Sequence, residues 1–126
     1  HHYFRDFWGA DTGMLAAMHL ICELGESRTP MSEIAMLNTP YFSSGEINST
    51  VDDKQAALAR VRKHLEFERE EEFDGNTFSG KTAENWWWCN IRPSNTEPLL
   101  RLNVESNHEA LMIEIRDKAI RQIRNS

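Results

Sequence analysis

Arg92-Pro93-Ser94-Asn95-Thr96-Glu97-Pro98 is packed with hydrogen-bond donors: a guanidinium, two hydroxyls, a carboxamide and several backbone N–H groups. Successive N–H groups in a turn form a concave nest for an anion. A neighbouring arginine adds a planar, permanently charged fork that matches two phosphate oxygens. Ser94 and Thr96 add hydroxyl donors. The stretch has no glycine and no Walker pattern, so it is not a nucleotide P-loop. Two readings follow from the residues alone. In one, the segment is a phosphate clamp; in the other, Ser, Asn and Thr only satisfy the polar groups of a turn.

Such a clamp needs a frame, and the flanking residues supply strand signals. Trp86 to Ile91 is apolar and aromatic, and Leu100, Leu102 and Val104 alternate with Leu99, Arg101 and Asn103. Upstream, Ile47, Ser49 and Val51 alternate as a half-buried strand does. Asp52 starts a helix with Gln55 in capping-box position, and Ala57, Leu58, Val61 and Leu65 form its buried stripe. The acidic run from Glu66 to Asp74 reads as a solvated face or loop, followed by an Asp74-Gly75-Asn76 turn. A last helix from about Asn107 buries Leu111, Met112, Ile115, Ala119 and Ile123, with Arg116, Lys118, Arg121 and Arg124 in its second half. Strand, helix, strands, helix from residue 46 onward predicts an α+β fold: an antiparallel sheet covered on one face by two helices.

Residues 1–38 read differently. Asp11 or Thr12 caps a helix whose apolar face is Met14, Leu15, Met18, Ile21 and Cys22, closed by Gly25. Thr29-Pro30 opens a second, short helix ending at Asn38. Residues 39–45, with Pro40, Ser43, Ser44 and Gly45, read as a linker between 1–38 and 46–126.

The whole chain of 126 residues carries 14 Lys and Arg against 20 Asp and Glu, a formal charge of −6. That balance, without a basic stripe, argues against a nucleic-acid partner. An anion site in such a field must be made by local geometry. No apolar run approaches the ~20 residues of a membrane-spanning helix, so no membrane partner is expected. Cys22 and Cys89 have no CxxC spacing and read as two reduced, buried thiols of a cytoplasmic protein, with no metal site. In Trp86-Trp87-Trp88 a strand turns the central ring to one side and its neighbours to the other, favouring packing over sugar stacking. Arg101 either reinforces the clamp or forms a cross-strand ion pair. His19, His64 and His108 read as satisfied or surface histidines, and Glu97 as facing outward.

Three ordered stretches resemble one family. Trp88-Cys89-Asn90-Ile91-Arg92-Pro93-Ser94-Asn95-Thr96-Glu97-Pro98 is similar to the C-terminal phosphate-binding motif R-x-S-N-T-E-P of the α-D-phosphohexomutases, most closely bacterial phosphomannomutase/phosphoglucomutase. His1 to Met14 resembles the stretch after that family's sugar-binding loop, and Ser43-Ser44-Gly45-Glu46-Ile47-Asn48 its entry into the last domain. The resemblance implies a four-domain parent enzyme that interconverts hexose 1- and 6-phosphates of mannose or glucose. It does so through an enzyme phosphoserine, a bisphosphate intermediate and Mg2+.

This chain then corresponds to the tail of the third, α/β domain (1–38), a linker, and the fourth domain (46–126), whose fold is TATA-binding-protein-like. The resemblance assigns Arg92, Ser94, Asn95 and Thr96 to the substrate phosphate and His1 to the sugar. The implied partners are a hexose phosphate or bisphosphate and the remaining domains of the same enzyme. The phosphoserine and the magnesium loop have no counterpart in these residues, so the chain alone is expected to be inactive. His1-His2 also reads as a tag remnant. The alternative function is a non-catalytic packing domain without its own ligand site.

Overall fold

The computed structural model describes residues 1–125, which form two compact units, His1–Thr39 and a second from Pro40 onward. In the first, β1 (Tyr3–Phe4) pairs antiparallel with β2 (Ala10–Asp11) around a turn in which Trp8 and Gly9 both take positive φ. Helix α1 (Gly13–Ser27) is capped by Thr12, whose Oγ1 accepts from Leu15 N at 3.3 Å. The helix continues through Gly25 and ends on Arg28 in the left-handed region, so Gly25 is not its stop. Helix α2 (Met31–Leu37) has Pro30 at its N-cap, so it starts one residue later than a Thr29 cap would give, and no side chain caps it.

The apolar face foreseen for α1 is not covered within this unit. Neither helix has a buried residue, and Met14, Ile21 and Cys22 are exposed. A unit of this size has too little surface to bury two helices.

The second unit is the predicted α+β layer. Its sheet contains β3 (Phe42–Ser43), β4 (Ile47–Thr50), β5 (Arg69–Glu72), β6 (Asn76–Lys81), β7 (Trp86–Pro93) and β8 (Leu99–Ser106), all paired antiparallel. The order runs β3-β8-β7-β6-β5, and β4 pairs with β8 beyond β3. Phe42 and Ser43, inside the stretch read as a linker, lie opposite Ser106 and Glu105. The acidic run also holds an edge strand. Its Arg-Glu-Glu-Glu sequence keeps charged side chains in water, which protects an open sheet edge from adding another chain.

Helices α3 (Lys54–His64) and α4 (Glu109–Arg124) cover one face of this sheet. The cap of α3 is Asp53, not Asp52: its Oδ1 accepts from Gln55 N and Ala56 N, both at 2.9 Å. Strict alternation on β7 and β8 turns Trp87, Cys89, Ile91, Leu100, Leu102 and Val104 inward against Ala57, Val61, Met112, Ile115, Ala119 and Ile123. Trp87 packs on Gly80, where any Cβ would lie 2.6 Å from the indole nitrogen. Burial pushes the Cys89 thiol up to about 12, so it serves as a small apolar group.

Arg62 of α3 reaches the edge strand and grips Glu70 with Nε at 3.0 and 2.9 Å and Nη2 at 2.5 Å. This fork, with some help from Asn76, holds the Glu70 carboxyl below the usual carboxylate range against the opposing effect of burial. A depressed carboxylate stabilises the fold above its unfolded pKa, and that contribution disappears as pH falls through the folded value. Solvent at the arginine limits the pair to ~0.5–1 kcal/mol. Arg62→Ala should therefore lower urea stability at pH 7, and the loss should shrink as pH falls through the acid range; an equal loss at every pH would assign the effect to packing. Phe78, fully buried on β6, should cost ~3–5 kcal/mol on replacement by Ala, read from the same melts.

Candidate functional site

The β7–β8 register places Arg92 directly opposite Arg101, with the bend 94–98 closing the hairpin above them. Both side chains stand on the sheet face away from the helices, because their strand neighbours Ile91 and Leu102 are buried. Two like charges opposite one another are unfavourable. Two carboxylates offset the repulsion. Arg92 Nη1 donates to Asp74 Oδ2 at 3.1 Å, and Glu46 lies 3.9 Å from Arg92 and 4.0 Å from Arg101. Arg101 Nε is buried without a hydrogen-bond partner among the described residues. Arg101 forms the cross-strand ion pair that one sequence reading allowed, with Glu46 beside β4, and leaves its Nε for another acceptor.

Asp74 reaches Arg92 because the β5–β6 turn lies against β7. Gly75 has φ +90°, and a Cβ there would sit 2.6 Å from the Ile91 carbonyl oxygen and 2.9 Å from Arg92 Cα. Asp74 itself takes φ 47°. The turn was legible as Asp-Gly-Asn, but its contact with the arginine was not.

Within the bend, Ser94 N donates to Leu99 O at 3.0 Å, extending the hairpin by one pair. Ser94 is buried, and its Oγ accepts from Thr96 N and Glu97 N at 3.4 and 3.3 Å. Its hydroxyl therefore shapes the turn, with one hydrogen left to donate. Asn95 and Thr96 are exposed at the tip, and their side chains have no hydrogen-bond partner among the described residues. Glu97 is exposed too, while its carbonyl accepts from Lys54 Nζ at 2.8 Å. Lys54 also donates to the Ser94 carbonyl at 2.6 Å. Sequence reading missed this lysine, since nothing local links residues forty positions apart.

His1 belongs to the first unit. Its Nδ1 pairs with Asp11 Oδ2, while Asp11 Oδ1 accepts from His2 N at 2.7 Å. The Asp11 carboxylate thus anchors both histidines locally. Among the other histidines, His64 Nδ1 lies 2.9 Å from the Arg60 carbonyl, and His19 stacks on Phe4. Among the described residues no group of three or more His, Cys, Asp or Glu is placed to hold a metal ion, and no helix is long and apolar enough to cross a membrane.

The arrangement is a fixed bend with its carbonyls tied down and two arginines at its base. It is suited to a compact anion that accepts from several donors at once.

Comparison with known proteins shows the family. The family model of the phosphoglucomutase/phosphomannomutase C-terminal domain matches residues 46–122. Similar proteins include the phosphohexose mutases of Xanthomonas campestris pv. campestris strain B100, 44% identical over 124 residues, covering 95% of this chain and 27% of that protein. A phosphomannomutase of Salmonella montevideo is 41% identical over 129 residues, covering 100% of this chain and 27% of its own. One from Methanocaldococcus jannaschii is 35% identical over 114 residues, covering 90% and 24%. The chain spans about a quarter of the length of the curated relatives it matches. With residues 46–122 as its C-terminal domain, the chain belongs to the phosphoglucomutase/phosphomannomutase family.

Proposed function

We propose that the second unit binds the phosphate of a hexose phosphate at the β7–β8 bend. It would do so as the fourth domain of a longer mutase, with residues 1–38 as the end of the third. The observation that carries this reading is the enforced pairing of Arg92 and Arg101 beneath a donor-rich bend, with Arg101 Nε lacking a partner. A dianion placed between the two guanidiniums removes their repulsion and supplies the missing acceptor. Asn95 and Thr96 at the tip and the remaining Ser94 hydrogen complete its donors, and His1 contacts the sugar.

The parent enzyme, in this reading, interconverts hexose 1- and 6-phosphates of mannose or glucose in the cytoplasm through a phosphoserine and a bisphosphate intermediate. Phosphoryl transfer depends mostly on positioning and charge stabilisation, so holding the unreactive phosphate matters at a distance from the nucleophile. Magnesium would supply charge neutralisation at the reacting phosphoryl group. Among the described residues none form a cluster fit to hold it, and the clamp works through its own donors. The chain alone is a binding part, without mutase turnover.

Titration with glucose 1-phosphate or mannose 1-phosphate, followed by amide NMR, should shift residues 92–97 and 101. Arg92→Ala should weaken that binding by at least ~10-fold, the value of one charge-assisted bond. No shift at millimolar ligand would leave a packing domain, with Trp86 against Tyr41 at 5.0 Å as a model of how its rings are used. Asp74 competes with phosphate for Arg92, so Asp74→Asn should tighten binding ~2–5-fold, in keeping with a solvent-exposed pair; weaker binding would show that Asp74 orients the arginine instead.

A further inference from the structure

Lys54 occupies the first helical position of α3, immediately after its cap Asp53, and the first turn contains no acidic residue. A cation there opposes the helix dipole. Such a local conflict is expected where the residue is retained for another task. The task is visible across the sheet. Lys54 Nζ donates to the carbonyls of Ser94 at 2.6 Å and Glu97 at 2.8 Å, and Val51 N donates to the Pro98 carbonyl at 3.0 Å. Three carbonyls of one short bend are thus fastened to the β4–α3 connection.

Every peptide bond among the described residues is trans, so the N–H of each peptide points opposite its C=O. The carbonyl of Ser94 shares its peptide with the N–H of Asn95. Drawing that carbonyl toward Lys54 turns the Asn95 N–H away from the lysine. Ser94 Oγ gathers the N–H groups of Thr96 and Glu97 at the same bend.

We propose that Lys54 is a positioning residue for the anion site: it anchors the carbonyl side of the bend so that the Asn95 N–H, on the opposite side, is presented to phosphate. The proposal rests on the phosphate reading of the bend. Lys54 does not contact the phosphate; its two bonds act on the shape of the loop.

The test compares the 126-residue chain with Lys54→Met, which keeps the side-chain length without donors, and Lys54→Arg, which restores them. Inorganic phosphate is the probe. Amide exchange is read without phosphate, and binding by amide NMR. In Lys54→Met, exchange at Thr96, Glu97 and Leu99 should accelerate at least ~10-fold while the amides of β6 and α4 stay protected. Phosphate binding should weaken by a similar factor, and Lys54→Arg should recover both.

Unchanged exchange at the bend, whether or not binding weakens, overturns the positioning role, since a loss of charge alone would act only on affinity. Normal phosphate binding by Lys54→Met overturns it as well. If the unsubstituted chain shows no phosphate response at residues 92–97, the clamp reading itself fails and takes the inference with it, an outcome distinct from the other two. General loss of protection in Lys54→Met without recovery in Lys54→Arg would make Lys54 a fold residue and overturn the proposal.

Discussion

Two guanidinium groups do not lie side by side without a cause, and here the cause is the register of one hairpin. Pairing Ile91 with Leu102 and Cys89 with Val104 buries apolar side chains on the helix side of the sheet. The same pairing sets Arg92 opposite Arg101 on the other side. A slip of one residue would turn the buried row to solvent. The core therefore holds the charges together, and Glu46 and Asp74 moderate the repulsion without abolishing it.

The bend above the arginines has the same dependence on distant structure. Its residues do not rely on one another alone. Ser94 organises two amides, but the carbonyls find their partners on Val51 and Lys54. β4 and the start of α3 are in turn held by pairing with β8 and by the packing of Ala57 and Val61. Core, hairpin and bend thus form one connected construction. The exposed tip, Asn95 and Thr96, is the part whose side chains have no hydrogen-bond partner among the described residues.

The first unit presents a contrasting case. Its helices have good local signals, a Thr12 cap and a left-handed stop, yet no buried residue. Secondary structure there follows from capping and spacing, while tertiary burial is missing within those residues. Met14, Met18 and Ile21 therefore stand exposed on α1. Stability in helices comes mainly from packing an apolar face rather than from propensity.

Periodicity was enough to reveal β8 and α4, and apolar, aromatic content to reveal β7, because each of these signals runs over many residues. The donor-rich composition of 92–98 and its likeness to one family were likewise written in the order of residues. Short elements were less legible. Phe42–Ser43 and the charged strand Arg69–Glu72 exist because a neighbour offers unpaired backbone groups, and neither carries a burial pattern of its own. The role of Ser94 as turn-former, the grip of Asp74 on Arg92 made possible by Gly75, and the reach of Lys54 to two carbonyls belong to tertiary structure alone. The physical reason is range: side-chain chemistry and hydrophobic period are properties of neighbours in the chain, whereas hydrogen-bond partners and charge neighbours are chosen by folding.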